Sequence, residues 1–250
     1  MDLRSTLLVV GGSTCSFKLI NTIIRYLPTP ERALLKAWKW RNIGTSLAHS
    51  ALTGVGAALC FYLQPQMLND LISSYSLHSH KLVAVSTGYF IHDFLDLALN
   101  QSVRLSWEVL LHHSMVISCF SYAVKSRFHL GFAVVSLLVE INSVFLHIRQ
   151  LLLLSGRTNR SIRPSRTFTV TSWLNLGTLL VFRVGILGWM TCWLLNHRQK
   201  MHSYVFMLGT VGLSVISTMS MALFYRLLRA DVFIDSVCEL QLKDKDKNKF

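Results

Sequence analysis

The chain has 250 residues, a formal net charge of +13 and a mean hydropathy of +0.43. Apolar residues make up 52% of it and charged residues 15%, whereas soluble domains average about 25% charged residues, so the composition excludes a soluble fold. Five cysteines without a Cys-x-x-Cys pair also exclude a zinc ribbon and a thioredoxin-like redox site. The chain is therefore predicted to be an all-α polytopic membrane protein.

Seven stretches are long and apolar enough to be membrane spans, since a helix needs about 20 mainly apolar residues to cross the hydrocarbon core. They are predicted at Leu3–Ile24, Thr45–Leu63, Leu82–Leu99, Val109–Val124, Leu130–Leu154, Ser172–Leu195 and Tyr204–Leu228. The fourth is short, which suits a helix surrounded by other helices.

The first span has two interpretations. Arg4 and Lys18 interrupt it, and it could be either an uncleaved anchor or a signal peptide. Asp2 beside Arg4 makes a poor basic leader, and no cleavage site of small residues stands out, which favours the anchor. We therefore divide the chain into an N-terminal anchor or signal-like helix (1–30), a membrane domain (31–230) and a charged cytoplasmic tail (231–250).

The basic residues are distributed unevenly between the two sides of the membrane. With seven alternating spans, one side receives sixteen of the 25 lysines and arginines and the other six. The positive-inside rule then places the C-terminus in the cytoplasm. Because this bias accounts for the excess charge, we expect no nucleic-acid partner. Trp38-Lys39-Trp40-Arg41 is predicted to anchor the second span at the membrane interface.

Polar residues within the spans carry the functional information. A charged group at a helix centre costs about 2.5–3.5 kcal/mol, whereas a Leu, Ile, Val or Phe returns about 0.3–0.6. Asp93 and Asp96 therefore need partners inside the protein. Several spans offer such groups, and we expect a shared, lipid-shielded interior lined by His49, His92, Asp96, Glu140, Asn142, Ser143, His147 and Arg183, with Arg183 as the counter-ion of an acid.

Three interpretations of this interior remain open. The polar groups could fix helix packing without touching a substrate. A histidine oriented by Asp93 or Glu140 could instead act as a general base or carry an acyl group. A metal site is the least favoured, since the His-x-x-His-His pattern of di-iron lipid desaturases is absent, and no cofactor is expected.

Three short motifs resemble the TLC domain family, the membrane group that includes the ceramide synthases. They are Trp40-Arg41-Asn42 with Ser46, His49-Ser50 and Gly54; Gly88-Tyr89-Phe90-Ile91-His92-Asp93; and Leu111-His112-His113-Ser114. Glu140-Ile141-Asn142-Ser143 and Arg149 extend the match, which covers about residues 38–228. The first motif looks most like the small, stand-alone TLC domain-containing proteins of animal cells.

The resemblance implies a six-helix barrel around a central cavity that can hold an acyl chain, with the first helix as an addition. It also implies a reaction-centre role for His112 and His113. In the acyltransferase hypothesis, Asp93 is the residue that we expect to orient them. Ceramide synthases carry a His-Asp-x-x-Asp element on the helix after the paired histidines. Here that helix has Glu140 and Asn142, and His147 has no Asp after it, so ceramide synthesis is not expected.

The stand-alone branch implies control of phospholipid acyl composition and membrane fluidity at the plasma membrane, in the direction of restraining polyunsaturated, fluidising species. The expected partners are membrane lipids with acyl chains and lipid-remodelling enzymes. Two alternatives stay open: a histidine-dependent acyltransferase that takes acyl-CoA as substrate, and a transporter or channel-associated protein. Residence in the endoplasmic reticulum is the alternative location.

Overall fold

A computed structural model describes residues 1–158 and 165–230, and every regular element in this part of the chain is helical. The predicted tail, 231–250, lies outside the described residues. The helices are α1 (Leu3–Tyr26), α2 (Glu31–Leu34), α3 (Ala37–Leu63), α4 (Leu77–Asn100), α5 (Val103–Ser126), α6 (Leu130–Leu137), α7 (Glu140–Leu154), α8 (Arg166–Thr178), α9 (Ile186–Asn196) and α10 (Ser203–Leu228). A π-helical segment, Leu179–Gly185, joins α8 to α9.

The prediction of an all-α polytopic membrane protein is confirmed. Six segments of the described chain are long and apolar enough to cross a membrane: α1, α3, α4, α6 with α7, α8 through α9, and α10. The remaining predicted span is α5, which is 24 residues long but carries Arg104, Glu108 and Lys125. It packs against α4 and α10, and Arg104 and Lys125 are exposed near its two ends.

Contacts near the two ends of the bundle show that the helices alternate in direction. At one end of the bundle, Arg32 Nη1 donates to the carbonyl of Gly156 at 3.4 Å, and Arg226 pairs with Glu108 at 3.3 Å. At the opposite end, the backbone N–H of His129 donates to the carbonyl of Ile72 at 2.6 Å. These contacts fit seven antiparallel crossings. We call the first end the basic end, because it carries the larger share of the lysines and arginines.

Side-chain caps fix where several helices begin. The Asp2 carboxylate accepts from the Ser5 backbone N–H at the start of α1, and Ser165 accepts from Phe168 at the start of α8. Ser76 and Ser79 form a reciprocal capping box before α4. Each cap satisfies backbone donors that have no partner inside the helix.

The first helix packs closely along α4. Ser13 Oγ donates to the carbonyl of Val85 at 2.6 Å, and Thr14 Oγ1 donates to the carbonyl of Gly88 at 3.0 Å. A Cβ at Gly88 would lie 2.4 Å from the Val10 carbonyl oxygen, so only glycine permits this approach. The N-terminal segment, predicted as an anchor or signal-like helix, therefore forms a wall of the bundle.

Candidate functional site

A cavity of about 460 Å³ opens in the half of the bundle nearer the basic end. Helices α3, α4, α5, α7 and α10 and the π segment enclose it, and we call it the chamber. Seven of the predicted site residues line it: Asp93, His112, His113, Glu140, Ser143, His147 and Arg183. Glu140, Ser143 and His147 are spaced i, i+3, i+7, so α7 presents all three on one face.

The other four predicted residues are not among its described lining residues. His49 is buried, stacks on Tyr89 with ring centroids 3.7 Å apart, and bonds to Ser86 Oγ at 2.9 Å. His92 is buried too, and its Nε2 has no hydrogen-bond partner in the described chain. Asp96 and Asn142 are not lining residues, but each hydrogen-bonds to side chains that line the chamber.

Asp96 and Asp93 are held from α3 by a residue outside the predicted site. Asn42 Nδ2 donates to Asp93 Oδ1 at 2.6 Å and to Asp96 Oδ2 at 3.2 Å. The indole of Trp38, predicted only as an interface anchor, also donates to Asp96 Oδ2 at 3.1 Å. Charge-assisted bonds of this kind stabilise the carboxylates that the third predicted span could not carry alone.

A helical stripe identifies the face of α3 that meets the chamber. Asn42, Ser46 and Ser50 are spaced i, i+4, i+8 and all line the cavity, whereas His49 lies on the neighbouring face. Ser50 Oγ donates to Glu140 Oε2 at 2.6 Å. This spacing was a signal in the sequence that could have identified Asn42.

Asp93 and His113 form the central pair of the chamber. His113 Nε2 lies 3.0 Å from Asp93 Oδ2, and its Nδ1 lies 2.6 Å from the carbonyl oxygen of Val109. A carbonyl can only accept, so Nδ1 carries a proton and one further proton lies between Nε2 and Oδ2. The Val109 carbonyl thereby fixes a proton on Nδ1 and Asp93 fixes the orientation of the ring at Nε2, so both ring nitrogens of His113 are engaged by the protein.

His112 and His147 line the same chamber but have free ring nitrogens. The Nδ1 atom of each is buried with no hydrogen-bond partner in the described residues. The rings of His112 and His113 lie 5.3 Å apart, close to perpendicular. His112 and His147 thus line the chamber with no described hydrogen bond at Nε2 either, which leaves Nε2 as the nitrogen of each that can bond to a molecule there, while His113 is held by Asp93.

Arg183 does not ion-pair with an acid as predicted; no described carboxylate lies within ion-pair distance of it. Its Nε donates to Asn142 Oδ1 at 2.8 Å, its Nη2 to Ser143 Oγ at 2.9 Å, and its Nη1 reaches Ser220 Oγ at 3.5 Å. All three acceptors are neutral. The guanidinium is thus positioned on the chamber without being neutralised by direct contact.

A second, smaller pocket of about 100 Å³ lies toward the opposite end, between α5, α6, α9 and α10. We call it the apolar pocket, because side chains such as Val116, Phe120 and Leu213 line most of it. Ile216 lines both cavities. His129 is one of its lining residues, and both of its ring nitrogens are buried and unpartnered in the described chain. Burial lowers the pKa of this histidine, which favours the uncharged ring.

No group of three His, Cys, Asp or Glu side chains in residues 1–158 and 165–230 is arranged to hold a metal ion. What the chamber offers is an oriented His–Asp pair, two further imidazoles and one guanidinium, next to an apolar pocket. This combination defines a class: helical membrane proteins with a polar cavity inside the bundle.

Comparisons with known proteins give the family. The family profile described as TLC domain matches residues 39–229, and the chain belongs to this family. It is 48% identical to TLC domain-containing protein 2 of Danio rerio, over all of this chain and 99% of the relative. It is 45% identical to the Homo sapiens protein of that name, over 90% of this chain and 84% of the relative.

A second group of relatives is named TLC domain-containing protein 1 instead of 2. The chain is 32% identical to TLC domain-containing protein 1 of Homo sapiens, over 97% of each chain. No solved structure matches the chain. The resemblance to the stand-alone TLC branch is confirmed, and the matched region begins inside the predicted membrane domain of 31–230 and ends at its last helix.

Proposed function

We propose that this protein binds the acyl chain of a lipid inside its helical bundle and so regulates the acyl composition and fluidity of membrane phospholipids. The proposed effect is to restrain incorporation of polyunsaturated chains. It works by sequestering an acyl donor or by modulating a lipid-remodelling enzyme. The proposed location is the plasma membrane, with the C-terminus in the cytoplasm and the endoplasmic reticulum as the alternative.

One observation carries the proposal: a polar chamber and an apolar pocket lie inside the same bundle, with Ile216 as a lining residue of both. A cavity with this division suits an amphiphile whose polar end faces His112 and Arg183 and whose chain extends toward Phe120. Protein interiors are normally close-packed, so a space of this size next to buried polar groups needs a functional reason.

The test is untargeted lipidomics of cells with and without the protein, resolving phospholipids by chain unsaturation and separating them from sphingolipids. Loss of the protein should raise polyunsaturated phospholipids and leave ceramides unchanged. Re-expression of the wild type should reverse the change. Re-expression of Gly212→Leu should not, because Gly212 lines the apolar pocket and a leucine there would fill it.

Gly188→Leu is the matched control, since nothing lies within 4 Å of a Cβ built at Gly188. It should restore the lipid profile as the wild type does. A profile that does not respond to the protein at all would contradict the proposal.

A second candidate function, acyl transfer from acyl-CoA, is favoured by the unbonded imidazole of His112 on the chamber, next to the His113–Asp93 pair. In that reaction His112 or His113 would act as the base or acyl acceptor, and Asp93 would orient the ring. Replacing both histidines with alanine separates the two functions. If the variant still folds and still restores the lipid profile, acyl transfer is excluded.

The transporter alternative predicts a continuous polar route through both faces. Beyond Ile216 the described lining is mainly apolar, which does not favour such a route.

A further inference from the structure

We infer that Arg183 binds the anionic head group of the lipid, and that the chamber takes a single-chain lipid ending in a carboxylate or a phosphate. This inference rests on the proposed function, because it assumes that an acyl lipid occupies the chamber. It adds the chemistry of the polar end and the residue that recognises it.

The first support is the electrostatic position of Arg183. It lies within a membrane-spanning segment, lines the chamber, and has no described carboxylate within ion-pair distance. Glu140, also on the chamber, is an acid that acts on Arg183 electrostatically, but it lies beyond ion-pair distance and accepts a short hydrogen bond from Ser50. Ionisable residues inside a membrane normally pair or face a functional cavity, and Arg183 does only the second.

The second support is the way that neutral groups hold the guanidinium. Asn142 Nδ2 donates to the carbonyl and side-chain oxygens of Asn175 at 2.9 and 3.1 Å, and to Thr178 Oγ1 at 3.0 Å. These bonds leave Asn142 Oδ1 facing Arg183 Nε. Asn142 and Asn175 are both completely buried, so the arrangement is a fixed support and not a surface contact.

The third support is the count of donors. A guanidinium has five N–H groups, and described acceptors engage three of them, one at the long distance of 3.5 Å. The remaining donors belong to Nη1 and Nη2, the edge of the group that matches the paired oxygens of a carboxylate or phosphate.

The fourth support is the local backbone. Arg183 lies in the π segment Leu179–Gly185, between the regular helices α8 and α9. A π turn adds a residue to the helical repeat and so changes the direction of the side chains that follow it. Such segments occur frequently at functional sites.

The size of the chamber limits the ligand. The chamber volume of about 460 Å³ lies within the range of roughly 300–1,000 Å³ for small-molecule pockets, and the apolar pocket on the other side of Ile216 has about 100 Å³. This favours one chain over two. A free fatty acid and a lysophospholipid share the required chemistry, and the experiment distinguishes them.

The test measures binding of four lipids with the same C18 monounsaturated chain to the full-length protein in nanodiscs of uncharged lipid. They are oleate, oleoyl lysophosphatidic acid, oleyl alcohol and methyl oleate. At least one of the two anionic lipids should bind about tenfold or more tightly than the two neutral ones, since charge-assisted bonds are the strong ones. The stronger anion identifies the head group.

Arg183→Gln should remove the preference, lowering affinity for the preferred anion about tenfold while changing oleyl alcohol less than about threefold. Retained binding of oleyl alcohol shows that the variant is folded. Arg25→Gln is the control, because Arg25 is an exposed arginine at the end of α1, and it should bind all four lipids as the wild type does.

A second pair of variants keeps the arginine. Ser143 Oγ lies 2.9 Å from Arg183 Nη2 and lines the chamber, so Ser143→Asp places a built-in anion beside the guanidinium. Ser143→Asn has the same size without the charge. The aspartate variant should lose the preference for anions, and the asparagine variant should keep it.

Two results would overturn the inference: a wild type that binds charged and neutral lipids equally, or an aspartate variant that keeps the anion preference of the asparagine variant. If neutral and anionic lipids both bind equally well, acyl-chain binding stands and only the role of Arg183 is lost. If none of the four lipids binds, the proposed function itself fails.

Discussion

Two sides of the bundle are built differently. Where α1 meets α4, here called the α1–α4 wall, a glycine and two hydroxyl side chains bring the backbones into close contact. Where α5 meets α10, here called the α5–α10 seam, both cavities lie between the helices. The polar contacts across the described seam are an exposed ion pair and a 3.9 Å bond from the Cys119 thiol to the Leu208 carbonyl.

This contrast indicates which side can separate. Small residues and partly buried hydrogen bonds make the α1–α4 wall costly to open, because each bond broken there leaves a polar group in a largely apolar setting. Opening the α5–α10 seam would break only the two polar contacts described above. We therefore expect lipids to reach the chamber through the seam while the wall stays closed.

The largest effect is expected from Gly88→Ala in the wall. The new Cβ would lie 2.4 Å from the Val10 carbonyl oxygen and 2.6 Å from Ser13 Cβ, so α1 must move away from α4. We expect a loss of about 3 kcal/mol or more in the free energy of unfolding, at the upper end for overpacking. Thermal or denaturant unfolding of the purified protein measures it.

Gly11→Ala is the matched control, since a Cβ there has nothing within 4 Å. Alanine favours a helix over glycine by about 1 kcal/mol, so this variant should be neutral or slightly more stable. Equal stability of the two variants would show that the wall is not as tight as the structure indicates.

The next effect concerns Asp93, which links α4 of the wall to α5 of the seam through His113. Asp93→Ala leaves Asn42 and His113 without their buried partner and should cost about 3 kcal/mol. Asp93→Asn should cost less than about 1 kcal/mol, because the amide can accept from Asn42 and donate to the Nε2 of a neutral His113. The same unfolding measurement compares them.

These two variants also separate stability from chemistry. Asp93→Asn should fold but lose the carboxylate that would stabilise an imidazolium at His113. Acyl transfer would be contradicted if this variant binds acyl chains normally and restores the same cellular lipid profile as the wild type. An asparagine variant as unstable as the alanine variant would contradict the hydrogen-bond assignment.

A smaller effect is expected from linking the seam covalently. A Cβ built at Gly212 lies 3.4 Å from Cys119 Sγ, so Gly212→Cys should form a disulfide between α5 and α10. We expect about 2 kcal/mol of stabilisation under oxidising conditions and slower lipid uptake, with both reversed by a reducing agent. Non-reducing electrophoresis and the rate of oleate binding measure the two effects.

Gly188→Cys controls for the added thiol, because a Cβ there has no neighbour within 4 Å. It should change neither stability nor uptake. Rapid uptake by the disulfide-linked protein, at the rate of the reduced form, would show that lipids reach the chamber by another route.

The sequence predicts the helical spans well and the site less completely, for physical reasons. Span positions follow from hydrophobic length, which is a local property. The stripe of Glu140, Ser143 and His147 follows from helical periodicity, and the structure places all three on the chamber. His49 is predicted to line the site because it is polar and lies within a span. In the structure it lies on a different face of its helix and contacts Tyr89 and Ser86.

The surroundings of Arg183 could not be predicted in the same way. A buried arginine suggests an acidic partner, and Asp93 and Glu140 were available in the sequence. In the structure Asp93 instead contacts His113 and Asn42. Glu140 accepts a hydrogen bond from Ser50, and the hydrogen-bond acceptors around Arg183 are neutral. Which acid meets which base depends on helix rotation and on the π segment, neither of which has a clear signature in a single sequence.

The smallest effect is expected from Glu108→Gln at the basic end of the seam. The Glu108 and Arg226 side chains are 41% and 65% exposed, and exposed ion pairs contribute about 0–1 kcal/mol, so stability should change by less than 1 kcal/mol. If the ion pair restrains the seam, lipid uptake should still become slightly faster, and 1 M salt should have the same effect on the wild type by screening the charges.

Glu31→Gln, in the short helix α2, is the control at the same end of the bundle. A loss of several kcal/mol in Glu108→Gln alone would mean that the seam is held as firmly as the wall, and the contrast between the two sides would no longer explain how a lipid enters.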